Sequence, residues 1–497
     1  MPKIMVKSVL YYKNSTKRCV IFRFIMYLCH VLVKMSNLFC NIIMKPVLLF
    51  LSLISASAIG ANLSDDTEKT VADCSASYQQ FSFDIYQRFE KHSSEADEPT
   101  NVVISPLSAW FAVGMLQQGA NSTTLNCINK ALYLPDDFRG LADYNSQLID
   151  DLLKPCEWNE NEWGEGEKPV LELANSFWAD DFITCHDKYI DTLGICYRAD
   201  FCQLDLALPE SMAAVDAWVK DKTHGTIPSL NIQPSEELLM LLVNALYFKA
   251  SWQDGASIED TKEMPFYTSS DDVKNVPMMY FDYHLDYAEV EGFKAVRLWF
   301  GHDHRFSMTF FAPTDDTAFD NAIYTQAKQA FSSEYRVILR LPRFTTDAEF
   351  LLNETLQEMG MDEVFVSADL SGMADGSLFV STIKQLSHLA VDEKGVVASA
   401  ATVIAIESGI HPEEIKYLTI DHPFYFTIED NSCDKVMFIG HINTIDEESV
   451  KDPNSLNKIG NTSSDAIYDM MGHRQSSLGK GLNIVQQGGK SRLVLVK

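Results

Sequence analysis

Histidine, cysteine and carboxylate side chains supply most catalytic machinery, and in this 497-residue chain they fall into no working pattern. There is no Gly-x-Ser-x-Gly elbow, His-Glu-x-x-His, Cys-x-x-Cys, phosphate loop or dinucleotide fingerprint. "GHDH", residues 301 to 304, offers His302 and His304 in a polar loop, but a metal centre asks for three or four ligands, and solvated turn residues are the better reading. Asp421-His422 suggests acid/base work, yet neighbours on a strand point to opposite faces. The chain is therefore not expected to be an enzyme, and no catalytic residue, metal or cofactor is assigned.

A different segment stands out. "VDEKGVVASAATVIAIESGIHPEEI", residues 391 to 415, begins as a run of small and β-branched residues with no hairpin partner beside it. Taken as a strand, one face carries Val396, Ala398, Ala400, Thr402, Ile404 and Ile406, all uncharged and able to enter a core. The other carries Val397, Ser399, Ala401, Val403, Ala405 and Glu407. Composition alone does not separate strand from helix here. As a permanent exposed edge, an uncharged stretch of this kind would invite aggregation.

Around it lie elements readable from periodicity. Tyr78, Phe81, Ile85 and Phe89 recur at helical spacing, and "NVVISPLSAWFAVGMLQQGA" predicts a short strand and a buried helix, with Ser105 as N-cap and Pro106 in the first turn. Met212, Val215, Trp218 and Val219 mark another amphipathic helix, closed by "THGTI". "LLMLLVNALYF", residues 238 to 248, is apolar on both faces, as a central strand covered from both sides would be, so Asn244 within it needs buried partners. "FSMTFFAP", "YRVILRLPRF", "FYFTI" and "VMFIGHI" read as strands, and "AEFLLNETLQEMGM" as a helix between them. Helices early and strands late, without βαβ regularity, give an α+β fold.

The first 45 residues hold eight Lys or Arg and no acid, so the net −29 of the whole chain becomes −37 for the remainder. That charge argues against binding nucleic acid, an anionic membrane or a heparin-like polysaccharide. Residues 44–61, with a basic start, the apolar run "PVLLFLSLISASAIGA" and small residues at Ala56, Ala58 and Ala61, read as a secretory signal peptide, and residues 1–43 as a leader extension from an upstream start in the gene model. A secreted, extracellular protein permits disulfides and glycans. Seven cysteines follow the leader (Cys74, Cys127, Cys156, Cys185, Cys196, Cys202, Cys433), an odd number whose pairing spacing does not reveal. Asn62, Asn121, Asn353 and Asn461 head glycosylation sequons. Residues 156 to 168 form an acidic loop, and 446–497, polar and rich in Gly, Ser and Asn, read as a disordered tail.

Taken together, residues 72–445 resemble the serpin family, with the motifs in one order and near the family spacing. "NVVISPLSAW" is similar to its early strand-to-helix signature, followed by "GANSTTLNCINKAL". "VDAWVKDKTHGTI" resembles its Trp-Val…Thr-x-Gly-x-Ile segment, with Asp216 where the family has Asn. "LLVNALYFKASW" matches the central strand that ends in a buried Trp, here Trp252. "DHPFYFTIEDNSCDKVMFIGHI" resembles the C-terminal signature, and "VDEKGVVASAAT" the hinge before the reactive loop.

The resemblance implies helices packed on a large central mixed sheet with two smaller sheets and an exposed reactive-centre loop. It implies that the loop, cut by a target serine protease, inserts as a new strand in the main sheet. Family spacing from Gly395 forward and Pro423 backward converges on Gly409-Ile410 as the bond attacked. Glu393, Gly395, Val396, Ala398 and Ala400 fall in the hinge, and Ser105, Ser108, Asn244, Gln385 and Trp252 in a sheet-opening cluster. Gln385 stands where the family has His, and Val396 where it has Thr or Ser. No Lys or Arg lies between Lys394 and Lys416, so the expected partner is an elastase-like or chymotrypsin-like protease rather than a trypsin-like one, met by a monomer. A non-inhibitory carrier, storage or interaction protein is the alternative.

Overall fold

The computed structural model describes residues 65–95, 100–156, 168–268, 272–376, 378–396 and 414–445, and four strand segments between 466 and 496. The leader and the proposed signal peptide lie outside the described residues. The chain divides into two units after Asp73, and the second, Cys74–Lys497, holds every described sheet.

Along the chain come helix α1 (Asp65–Ser94), β1 (Val102–Ile104), α2 (Pro106–Gln117), α3 (Ser122–Ala131) and α4 (Leu141–Leu152). β2 (Val170–Ala179), α5 (Asp187–Cys196), β3 (Ala199–Gln203), α6 (Pro209–Lys222) and β4 (Met240–Ser251) follow. Then come β5 (Lys262–Tyr267), β6 (Val273–His284), β7 (Asp286–Val290), β8 (Phe293–Phe300), β9 (Phe306–Pro313) and α7 (Asn321–Ala330). β10 (Arg336–Pro342), β11 (Phe344–Leu351), α8 (Asn353–Leu356), α9 (Asp362–Val366), β12 (Thr382–Asp392) and β13 (Gly395–Val396) lead to β14 (Ile415–Thr419), β15 (Phe424–Asp430) and β16 (Lys435–Ile442).

These strands make a mixed sheet β11-β12-β13-β4-β2-β3, an antiparallel sheet β1-β16-β15-β9-β8-β7 and a four-stranded sheet β14-β10-β6-β5. Among the described residues up to 445 the fold is α+β with three sheets, and one of the two other sheets equals the mixed one in strand number. Local chemistry accounts for the elements that frame the mixed sheet. α2 starts where Ser105 Oγ accepts from the Ser108 N–H at 3.2 Å with Pro106 in the first turn, and all its residues are buried, as befits a helix apolar all round. β4 alternates as a doubly covered strand should. Leu242 joins the main core, while Leu241 and Val243 pack with Met212, Val215 and Val219 of α6 in a second apolar cluster. Tyr78, Phe81, Ile85 and Phe89 of α1 are buried together, as their spacing predicts.

Three expectations from sequence change. "YRVILRLPRF" is not one strand: it breaks after Pro342, β10 going to the four-stranded sheet and β11 to the mixed one. The helix expected from Ala348 begins only at Asn353, because Phe344–Leu351 is zipped to β12 along its whole length. In the polar C-terminal stretch, residues 446–465 lie outside the described residues. Beyond them, β17 (Ala466–Asp469), β18 (Arg474–Gln475), β19 (Gly481–Gln487) and β20 (Lys490–Val496) form an antiparallel sheet ordered β18-β17-β19-β20. The pairing of Gln487 with Lys490 brackets a Gly-Gly pair, a strong hairpin signal that bulk composition hides.

Candidate functional site

β4 and β12 run parallel and touch at one end only, where Thr382 pairs with Leu241 and Ile383 with Leu242. At the other end they part, and β13 lies between them, antiparallel to both. Gly395 stands opposite Asp392 and Ser251, and Val396 opposite Val391 and Ala250. Between these ends, residues 243–249 of β4 and 384–390 of β12 are not paired with one another, each strand being bonded on its outer side to β2 or β11. The centre of the mixed sheet is therefore a slot, closed at the foot and wedged at the mouth by the first two residues of the hinge.

The mouth is built from one tight turn. The Asp392 carboxylate accepts from the backbone N–H of Lys394 at 2.8 Å and of Gly395 at 3.2 Å. Burial raises the Asp392 carboxyl above the ordinary carboxylate range, against the lowering effect of those two N–H groups. Gly395 has φ +147°, and a Cβ there would fall 2.1 Å from the Ala250 carbonyl oxygen, so only glycine fits between the strands. Glu393 is buried, held by the Arg343 guanidinium (Nε to Oε2 3.1 Å, with Nη2 on the other oxygen) and by the Thr261 hydroxyl at 2.7 Å. Trp252 closes the turn. Its backbone N–H donates to the Lys394 carbonyl at 2.8 Å, its indole N–H to the Asp392 carbonyl at 2.9 Å, and its ring stacks on Phe300 with centroids 4.5 Å apart. Val396, 1% exposed, packs in the main core with Val391 and Ala250, as the alternation of even-numbered residues predicts.

Polar residues sit midway along the slot. Gln385 Nε2 donates to the Ser105 carbonyl at 2.9 Å, and Ser105 in turn caps α2 through Ser108. Asn244 Nδ2 donates to Asn175 Oδ1 at 2.6 Å, and Asn175 Nδ2 to the Tyr197 carbonyl at 2.7 Å. Ser105, Ser108 and Gln385 are thus linked by hydrogen bonds, Gln385 through the Ser105 carbonyl and Ser108 through the Ser105 hydroxyl. Trp252 does not join them: it lies eight residues beyond Asn244, just past the end of β4, at the mouth. The residues missed from sequence are Arg343, Thr261 and Asn175, and Asn353 is named there only as a sequon. Asn353 fastens the foot, its Oδ1 accepting from Ile383 N–H and its Nδ2 donating to the Ser381 carbonyl, both at 2.9 Å. A buried glutamate at 393 was the one available hint that a cation must face it.

Other expected residues scatter. Ala398, Ala400, Gly409, Ile410, Asn62 and Asn461 lie outside the described residues. Asn121 flanks α3 and bonds Ser371 and Arg139, while Asn353, at the foot, has both amide atoms engaged. No disulfide joins the seven described cysteines. His304 stacks on Trp299 and bonds Gln253 at 2.8 Å, and no group of three or more metal-ligating side chains occurs among the described residues. Asp421 and His422 do meet, Nδ1 to Oδ1 2.7 Å, contrary to the expectation that they point apart. They occupy a bend before β15, where strand alternation does not hold. No described helix is long and apolar enough to cross a membrane.

Comparison with known proteins completes the description. The model of the family "Serpin (serine protease inhibitor)" matches residues 76–445. A leukocyte elastase inhibitor of Sus scrofa is 28% identical over 391 residues, covering 74% of this chain and 99% of that protein. Among solved structures, the thermophilic serpin tengpin in its native state is similar at 25% identity and TM-score 0.63, covering 77% of this chain and 95% of that one. Human thyroxine-binding globulin with thyroxine is similar at 22% identity and TM-score 0.64, covering 76% and 100%.

Proposed function

Because the chain belongs to the serpin family over residues 76–445, we propose that it is a secreted suicide inhibitor of a serine protease, cut at Gly409-Ile410 and inserting residues 396–406 into the mixed sheet. The observation that carries this reading is the wedge: Gly395 and Val396 already occupy the mouth of a slot between two parallel strands. Each further residue of an inserting strand moves both antiparallel partners back by one. Residues 397–403 then meet 390–384 on β12 and 249–243 on β4, the stretch over which those two strands do not pair with each other. Ala405 arrives at Thr382 and Leu241, the residues now paired with each other, so the two registers agree. Full insertion also parts the foot, beside a cavity of about 540 Å³ lined by Leu238, Leu351, Phe379 and Thr382.

The energetics are adequate. About a dozen new backbone hydrogen bonds at roughly 0.5–1.5 kcal/mol each, with Val and Ile side chains buried at roughly 1.5–3 kcal/mol each, rival the roughly 5–15 kcal/mol that holds an ordinary domain together. Insertion in this account follows attack on the Gly409 carbonyl and carries the acyl-enzyme with it before hydrolysis. The absence of any cation between Lys394 and Lys416 and the likeness to leukocyte elastase inhibitors support an elastase-like protease. The segment at 44–61 supports secretion into the extracellular fluid, and the net −37 speaks against a heparin cofactor.

Incubation with pancreatic elastase and chymotrypsin tests the proposal. A protease-inhibitor adduct that survives SDS is the expected result, and simple cleavage near Gly409 without an adduct would overturn it. That outcome would favour a carrier, storage or interaction protein, a reading motivated by Val396, bulkier than the Thr or Ser of the family at the first inserting position.

A further inference from the structure

The residues just past β4, the junction of β6 with β7 and the end of β8 line a cavity of about 320 Å³. That volume suits a small molecule, and neither the slot nor the hinge uses it. Its walls are of two kinds. Leu285 and Leu298, both buried, and Trp299 make an apolar side, while Asp254, Asp286 and His304 make a polar one.

Asp254 gives the cavity its chemistry. Gln253 Nε2 donates to Asp254 Oδ2 at 3.2 Å, and Oε1 of the same amide lies 2.8 Å from His304 Nε2, so the half-buried carboxylate is held in one orientation. Its Oδ1 accepts no hydrogen bond among the described residues, and none of their lysines or arginines pairs with it. Burial pushes its carboxyl above the ordinary carboxylate range, against the lowering effect of the His302 and His304 imidazoles. A carboxylate withdrawn from water without a cation is costly to keep. Asp286, the other carboxylate of the wall, already has its cation. Arg297 Nε and Nη2 and Trp299 Nε1 all donate to its Oδ2, at 2.9, 2.7 and 3.1 Å, which leaves Oδ1 as an acceptor without a donor.

We propose that this cavity binds a small amine with an apolar body, its ammonium on Asp254 and its body against Leu285, Leu298 and Trp299. An ammonium brings donors to acceptors that lack them and supplies the charge that Asp254 is missing. A metal ion matches less well, since no group of three or more metal-ligating side chains occurs among the described residues. An anion would be repelled by Asp254, and a neutral apolar ligand would shut that carboxylate further from water. The wall is set before a ligand arrives. Gln253 N–H donates to the Trp299 carbonyl at 2.8 Å and the Tyr283 hydroxyl to the Gly255 carbonyl at 2.9 Å, so the strap that carries Asp254 is pinned on either side of it. The site requires neither cleavage nor insertion of the loop.

Phenethylamine is the probe, with 2-phenylethanol and 3-phenylpropionate as companions that keep the apolar body but are neutral or anionic. Titration calorimetry on the intact wild-type protein at pH 7 should show phenethylamine binding at a single site, with the melting temperature rising as amine is added, and neither companion should do the same. Asp254→Asn keeps an oxygen for the Gln253 amide. Without amine it should melt no lower than wild type, and it should bind phenethylamine roughly ten- to a hundredfold more weakly. Equal affinity in wild type and Asp254→Asn would overturn the assignment by showing general attraction to an acidic protein. Failure of phenethylamine to bind, or equal binding of 2-phenylethanol, would overturn it on the wild-type protein alone.

Discussion

The indole N–H of Trp252 donates to the carbonyl oxygen of Asp392 across 2.9 Å, tying the end of β4 to the turn from which the loop departs. The stacking on Phe300 aims that N–H, so the bond and the ring contact act together. Trp252→Phe keeps the stack and removes the donor. It should lower the stability of the intact protein by about 1 kcal/mol, read from urea unfolding. An unchanged midpoint would mean that the turn is held by its other contacts alone.

The pairing of Arg343 with Glu393 joins the corner between two sheets to the hinge. Glu393 has 4% of its side chain exposed, so removing the guanidinium strands a charge. Arg343→Met should cost roughly 3–5 kcal/mol, and Arg343→Met with Glu393→Met should recover most of it. A double variant as unstable as the single one would show that Glu393 owes its stability to Thr261 and not to the cation.

Among the described hinge residues, Gly395 is the one at which no side chain has room. Gly395→Ala drives a Cβ against the Ala250 carbonyl at a φ that alanine resists, at a cost of roughly 1–3 kcal/mol from the backbone alone. The hinge should then leave the mouth, and the variant should be cleaved by elastase as a substrate, without an SDS-stable adduct. Adduct formation at the wild-type rate would contradict the wedge.

Asp392 gives a pH dependence with a definite sign. Its carboxyl is raised by burial, so folding favours the protonated form, and its contribution to stability declines as pH rises from the unfolded value, about 3.9, through the folded one. Asp392→Asn keeps an oxygen for the Lys394 and Gly395 N–H groups without the buried charge. It should be more stable than wild type at pH 7, with the advantage fading by pH 3.5. Unfolding in urea at both values checks this, and an equal difference at the two would rule out the titration.

What could be read in advance was local. The cap at Ser105, the doubly apolar β4 and the alternation that puts Val396 inward all follow from one residue's neighbours in sequence. What could not be read was set by distant partners. Arg343 meets Glu393 and Asn353 meets Ile383 only because β11 and β12 zip together. The family resemblance places Trp252 with Gln385, but Trp252 follows β4, eight residues beyond Asn244, and so stands at the mouth. "AEFLL" has the composition of a helix, and its pairing with β12 overrides that preference. Asp421 and His422 were judged by a strand rule that a bend escapes, and the Gly-Gly hairpin near the C-terminus was lost in the average composition of its segment.

Hydrogen exchange before and after cleavage at the loop tests the central claim most directly. If the loop fills the slot, amides of residues 243–249 and 384–390 and of 397–403 should all become strongly protected once the protein is cut. Unchanged exchange along both walls, with 397–403 as fast as in the intact chain, would contradict the account.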